Sequence, residues 1–118
     1  MATVYLSPTG SDAYTYAQAQ SSATPWLTPG KVNTSATTGD TVSMAAGTHT
    51  FADITFAKIF TWTGAALSNG LPTTIIDGAA ASASWAIYEG TNSFTDIMFQ
   101  NVVRSDVTSI IRMTCTVI

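Results

Sequence analysis

Between residues 73 and 102 the chain reads TTIIDGAAASASWAIYEGTNSFTDIMFQNV, and this stretch constrains the fold most. Short runs at 73–77, 85–89 and 94–102 are rich in β-branched and aromatic residues, the signature of strands. Between them stand turn residues: Asp77-Gly78, Glu89-Gly90 and Thr91-Asn92. The last run alternates, with Ile97, Phe99 and Asn101 on one side and Asp96, Met98 and Gln100 on the other. A further strand-like run, 109–113, begins at Ser109, one similar interval beyond the run that begins at Trp85. Returns of that size suit a coil of stacked rungs, each roughly 20–25 residues, that bury one continuous core.

Upstream, residues 2–6 read as a first strand and Ser7-Pro8-Thr9-Gly10-Ser11-Asp12 as a turn. Residues 13–24 form a loop or a frayed helix, and Trp26 anchors the chain through its indole. Residues 31–38 can make at most two helical turns, from weak helix formers. Strands are expected at 41–44, 48–51, 54–56 and 58–63, the last stopped by Gly64, followed by a loop at 65–72. No segment sustains a 3.6-residue period, so the expectation is an all-β chain. Gly64 and Gly78 are too close in sequence to enclose a whole rung, so their strands belong to different faces of one turn.

Only 9% of the 118 residues are charged, against about 25% in an average domain. Thr, Ser and Ala fill the positions charges would take, which suits β-stacking and uncharged partners. Lys31, Lys58, Arg104 and Arg112 are scattered and form no basic patch, which argues against nucleic-acid binding. No run reaches the roughly 18 apolar residues of a membrane span. The N-terminus lacks the basic and apolar regions of a secretion signal. Cys115 is alone, in an apolar run, and reads as an inert buried thiol.

The ordered motifs Ser7-Pro8-Thr9-Gly10-Ser11-Asp12, Pro25-Trp26-Leu27-Thr28, Gly39-Asp40-Thr41-Val42 and Gly47-Thr48-His49-Thr50 are followed by Thr74-Ile75-Ile76-Asp77-Gly78 and the run at 94–102. Over roughly residues 3–102 this order resembles the N-terminal part of right-handed parallel β-helix proteins of the pectate-lyase-like superfamily. His49 stands where that family has an aromatic, and the segment at 31–38 is polar where its capping helix is amphipathic. The resemblance implies an all-β, right-handed single-stranded parallel β-helix, a short solenoid of about three rungs. Residues 1–40 would form an N-terminal cap and 41–118 the rungs, truncated there or completed by another chain. It also implies acidic polysaccharides as the enzyme members' substrates, cleaved with Asp-bound calcium and an Arg, or with paired Asp residues.

Asp77, Glu89, Asp96, Asp106, Arg104 and Arg112 are the raw material for such chemistry. Asp12 and Asp77 lie beside glycines, where Asp caps the backbone by default. His49 has no second His or Cys near it, so no metal or other cofactor is expected. Asn101 reads as an inward amide at a corner, a structural role. Trp62 and Trp85 read as core, while Tyr14 and Tyr16, in a polar loop, are the candidates for stacking on a glycan. Residues 109–118, SIIRMTCTVI, are apolar and nearly uncharged, so Ile110, Ile111, Met113 and Val117 are the expected assembly edge for a second copy or another chain. The functional expectation is a non-enzymatic structural or adhesion module, virion or extracellular, such as part of a phage tail fibre or tailspike. The alternatives are an N-terminal fragment of an extracellular polysaccharide lyase or hydrolase, and a self-stacking filament subunit.

Overall fold

A computed structural model describes residues 1–50, 54–56, 58–77, 85–87 and 93–100. Within them the Thr- and Val-rich runs form nine short strands: β1 (Thr3–Leu6), β2 (Thr41–Met44), β3 (Gly47–Thr50), β4 (Ile54–Phe56), β5 (Thr61–Thr63), β6 (Thr74–Asp77), β7 (Trp85–Ile87), β8 (Ser93–Thr95) and β9 (Ile97–Gln100). Helix α1 (Pro29–Ser35) lies between β1 and β2, with a 3-10 turn at Gln18–Gln20 before it. Every pairing among these strands is parallel, in sheets ordered β1-β2-β5-β8, β3-β6-β9 and β4-β7. Parallel neighbours cannot be joined by a tight turn, and β1-α1-β2 supplies the helical crossover that such a pair needs.

These features correct the expectation of an all-β, right-handed β-helix with about three regular rungs. The described residues form a mixed, strand-rich arrangement of small parallel sheets with a helix, closer to α/β. The short helix expected at 31–38 forms two residues earlier, at Pro29–Ser35, and seven residues are too few to impose a 3.6-residue period. Its signal is local instead: Thr28 caps the N-terminus, its hydroxyl accepting from the Lys31 amide at 3.3 Å, and Pro29 occupies the first turn. Lys58 closes the other end, donating to the Ala36 carbonyl at 2.7 Å. Nor do the described pairings keep a fixed repeat. Thr3 pairs with Thr41, Thr41 with Thr61 and Thr61 with Ser93, while Gly47 pairs with Thr74 and Ile54 with Trp85. The interval from one partner to the next is uneven because a helix and loops of unequal length fill the connections.

The core follows the period of two. Val4, Leu6, Val42, Met44, Trp62 and Phe94 are fully buried on the inner face of the four-stranded sheet. Trp62 and Phe94 are register partners whose rings stack at 5.9 Å and 11°. Phe60 meets Trp62 edge-on at 5.7 Å, and Phe99 meets Phe94 edge-on at 5.2 Å. The run expected as one strand at 94–102 is broken at Asp96, which adopts φ 57°. That turn lets Gly64 pack against the Asp96 carbonyl so closely that a Cβ could not fit, while the Gly64 amide bonds to Thr95 O at 2.8 Å. Beyond the break the expected alternation holds: Ile97 is buried, Met98 is 41% exposed, and Phe99 packs against the core. Asn101 and the strand expected at 109–113 lie outside the described residues, as do the turns at Gly78 and 89–92.

Truncating Ile97 to Ala should therefore cost about 2–5 kcal/mol, whereas Met98→Ala should cost no more than about 0.5 kcal/mol. Urea melts of the two variants check the register, and equal losses would refute it.

Candidate ligand-binding cleft

The turn at residues 7–12 is laced to residues 25–28. Ser7 N bonds to Trp26 O, Ser11 N to Pro25 O, and Trp26 N to Tyr5 O, each at 2.9 Å. Gly10 is required here, because a Cβ would strike the Trp26 and Pro25 carbonyls. Asp12 clamps the same segment: its Oδ1 accepts from the Leu27 amide at 2.9 Å and the Thr28 amide at 3.0 Å, and its Oδ2 accepts from the Thr28 hydroxyl. The capping role expected for Asp12 is real, but it serves the distant segment at Leu27 and Thr28 rather than its own turn. Trp26 is fully buried and donates its indole N–H to Tyr14 O at 2.8 Å, fixing the backbone that carries the tyrosines.

The lacing leaves a cleft of about 500 Å³, within the usual range for small-molecule sites. Tyr5, Tyr14, Ser7, Thr9, Ser11, Ser22 and Ser43 line it with hydroxyls, over a floor that includes Leu6, Met44 and Ala45. Ser7 and Thr9 bond to each other at 3.1 Å, and Ser11 accepts from the Ala13 amide. The side-chain hydroxyls of Tyr5, Tyr14, Ser22 and Ser43 have no partner among the described residues. Among the described residues, no carboxylate, imidazole, amine or guanidinium lines the cleft.

The two tyrosines singled out from sequence part company here. Both are half-buried or exposed, but Tyr14 lines the cleft while Tyr16 does not. Tyr16 stacks on Trp26 at 6.2 Å and donates its hydroxyl to Asp40 Oδ2 at 2.7 Å. Asp40, read from sequence only as part of a Gly-Asp turn, is 1% exposed. It accepts from the Ala2 amide on Oδ1 and from the Thr37 amide on Oδ2, both at 2.9 Å. Burial pushes its carboxyl up, but the bonds from Tyr16, Ala2 and Thr37 outweigh burial and hold it below the ordinary 3.8. Its partner Tyr16 is correspondingly raised above 10.0, first by the bond to Asp40 and then by burial.

His49 is 3% exposed; its Nε2 donates to Ala45 O at 2.9 Å, and its Nδ1 has no partner among the described residues. Burial lowers its pKa below 6.5. Asp77 accepts from Gln100 Nε2 at 3.1 Å. Among the described residues no group of three or more His, Cys, Asp or Glu side chains is placed to hold a metal ion. No described helix is long and apolar enough to cross a membrane. Glu89, Arg104, Asp106, Arg112 and Cys115, with the edge residues Ile110, Ile111, Met113 and Val117, lie outside the described residues, and β7 is described without the Trp85 side chain. Tyr5 and Ser43 were missed from sequence because their place at the cleft depends on the long-range β1–β2 pairing, in which they are register partners.

No known protein family, curated protein or solved structure matches the chain. The resemblance read in the motifs stands on those residues alone.

Tyr16→Phe should destabilise the protein by about 1–3 kcal/mol, since it leaves a buried carboxylate one donor short. Asp40 is lowered in the folded state, so its contribution is present above 3.8 and is lost as pH falls through its folded value. Acid titration followed by circular dichroism should show that loss beginning at higher pH in Tyr16→Phe. His49 acts in a separate window. Its folded pKa lies below the unfolded 6.5, so the unfolded chain binds more protons there and stability falls as pH drops from 6.5 through the folded value. Melting temperatures between pH 7 and 5 should show this slope, and His49→Gln should flatten it.

Proposed function

We propose that this chain is a non-enzymatic structural or adhesion module of a virion or other extracellular assembly, and that it contacts saccharide through the cleft at Tyr14. The observation that carries this reading is the convergence of four hydroxyls without a described partner, on Tyr5, Tyr14, Ser22 and Ser43, in a cleft whose described lining holds no carboxylate, imidazole, amine or guanidinium. Such a lining gives and receives hydrogen bonds and offers a tyrosine face for stacking, which fits a sugar. Acid–base cleavage of a glycosidic bond needs a pair of carboxyl groups. The described Asp residues of the expected set serve other ends: Asp12 clamps Leu27 and Thr28, and Asp77 is engaged by Gln100. The apolar run at 109–118 supports assembly with a second chain, through Ile110, Ile111, Met113 and Val117.

Titration calorimetry against a panel of neutral and acidic oligosaccharides tests the reading. Tyr14→Ala should weaken binding at least about tenfold, equivalent to about 1.4 kcal/mol, while circular dichroism shows the variant still folded at the assay temperature. Absence of binding to every glycan in the panel, or release of cleaved products, would overturn it.

A further inference from the structure

The outer face of the four-stranded sheet carries a grid of hydroxyls. Register places Thr3, Thr41, Thr61 and Ser93 side by side in one row, and Tyr5, Ser43, Thr63 and Thr95 in the next. The residues between the rows, Val4, Val42, Trp62 and Phe94, are buried, so alternation turns all eight outward. Each is half-buried or exposed, and none of the eight side chains has a partner among the described residues. Seven of the eight are Ser or Thr and none is charged.

Parallel sheets are almost always covered on both faces, but on this one Thr3, Thr61 and Thr95 are exposed, and the cleft-lining loop borders only its Tyr5–Ser43 corner. The backbone ladder fixes the grid: about 4.8 Å between strands and about 7 Å between the rows, so that four strands span roughly 14 Å. A β-branched Thr holds its methyl and hydroxyl in few rotamers, so the pattern is stiff as well as regular.

A face roughly 14 Å by 7 Å falls far short of the roughly 800 Å² per partner of a stable protein interface, which disfavours a second copy as its occupant. Charge points the same way. An acidic glycan or a charged protein surface would find no counter-charge at any of the eight positions. The matching surface must be neutral, must offer donors and acceptors equally, and must repeat in two dimensions at these spacings. We propose that this face adsorbs to ice, whose prism plane presents oxygen atoms at two repeats close to those of the grid. Threonine hydroxyls join the lattice of oxygens while their methyl groups displace disordered water. The absence of charge matters because an ion would hold its own hydration shell against the crystal. A growing front is pinned locally by each adsorbed molecule, so a face this small acts where a protein interface of the same size would not.

The test uses the purified full chain in nanolitre osmometry, together with incorporation of the fluorescently labelled protein into a slowly grown ice hemisphere. Expected are faceted crystals, a measurable gap between melting and freezing, and incorporation into the ice. Thr61→Lys and Thr63→Lys, in one of the two central strands of the sheet, should abolish all three. Thr48→Lys, exposed on β3 in a different sheet, should leave them intact. Thr95→Lys, exposed at the end of β8, carries the test if either central variant fails to fold, as judged by circular dichroism. Smooth, unshaped crystals with the wild-type chain overturn the proposal, as does ice shaping that survives Thr61→Lys, Thr63→Lys and Thr95→Lys. Retention on crystalline cellulose without any effect on ice, lost in the same variants, would overturn it too and assign the grid to a polysaccharide lattice instead.

Discussion

One buried carboxylate connects parts of this molecule that lie far apart in sequence. Asp40 takes the Ala2 amide at the entry to β1, the Thr37 amide just past α1, and the Tyr16 hydroxyl from the loop between them. Its backbone carbonyl also receives the Thr61 amide at the start of β5. An ionised group at 1% exposure is costly unless donors surround it. Here the carboxylate's donors come from three separate segments, so satisfying the charge and assembling the fold are the same event. The crossover helix, the first two strands and the tyrosine loop are positioned relative to one another by that requirement.

From this arrangement the two faces of the main sheet diverge. Inward, Trp62 and Phe94 stack across the ladder and extend through Phe60 and Phe99 into a continuous aromatic core. Outward, the same strands present hydroxyls and nothing charged. Tyr5 and Ser43 belong to both outward features, since they close one end of the hydroxyl grid and open the wall of the cleft. Neutral hydrogen bonding, rather than ionic attraction, is the chemistry both surfaces offer.

What sequence could show followed from how local each signal is. β2 and β4 were legible to the residue, because β-branched runs stood between turn residues. The in-out order of Ile97, Met98 and Phe99 was also legible, since alternation is a property of the strand itself. The break at Asp96 was not, because a positive φ at a non-glycine leaves no mark in composition. Helix α1 was legible only as a weak two-turn segment at 31–38, and Thr28-Pro29 is the start signal that places it at Pro29–Ser35. Of the candidate site, Tyr14 was visible as an aromatic in a polar loop, whereas the bond from Tyr16 to Asp40 was not, because Asp40 lies beyond the helix. The Thr-x-Thr and Ser-x-Thr triplets can be seen in the sequence, but the register that aligns them into rows cannot.

The parallel pairings also govern when this chain can fold. Each described strand-to-strand pairing joins segments well separated along the chain, and even the nearest partners, such as Thr41 and Thr61, have other strands between them. The one antiparallel contact described, Ser68 with Leu71, belongs to a tight turn rather than a sheet. Among the described residues no local hairpin is available to nucleate a sheet, so loop closure must precede the contacts that reward it. During synthesis β1 has no neighbouring strand until Thr41–Met44 has emerged, and Asp40, which gathers the first segments, arrives immediately before it. Before then β1 can already bond to Trp26, through Trp26 N to Tyr5 O and Ser7 N to Trp26 O, but Val4 and Leu6 gain their sheet neighbours only with Val42 and Met44.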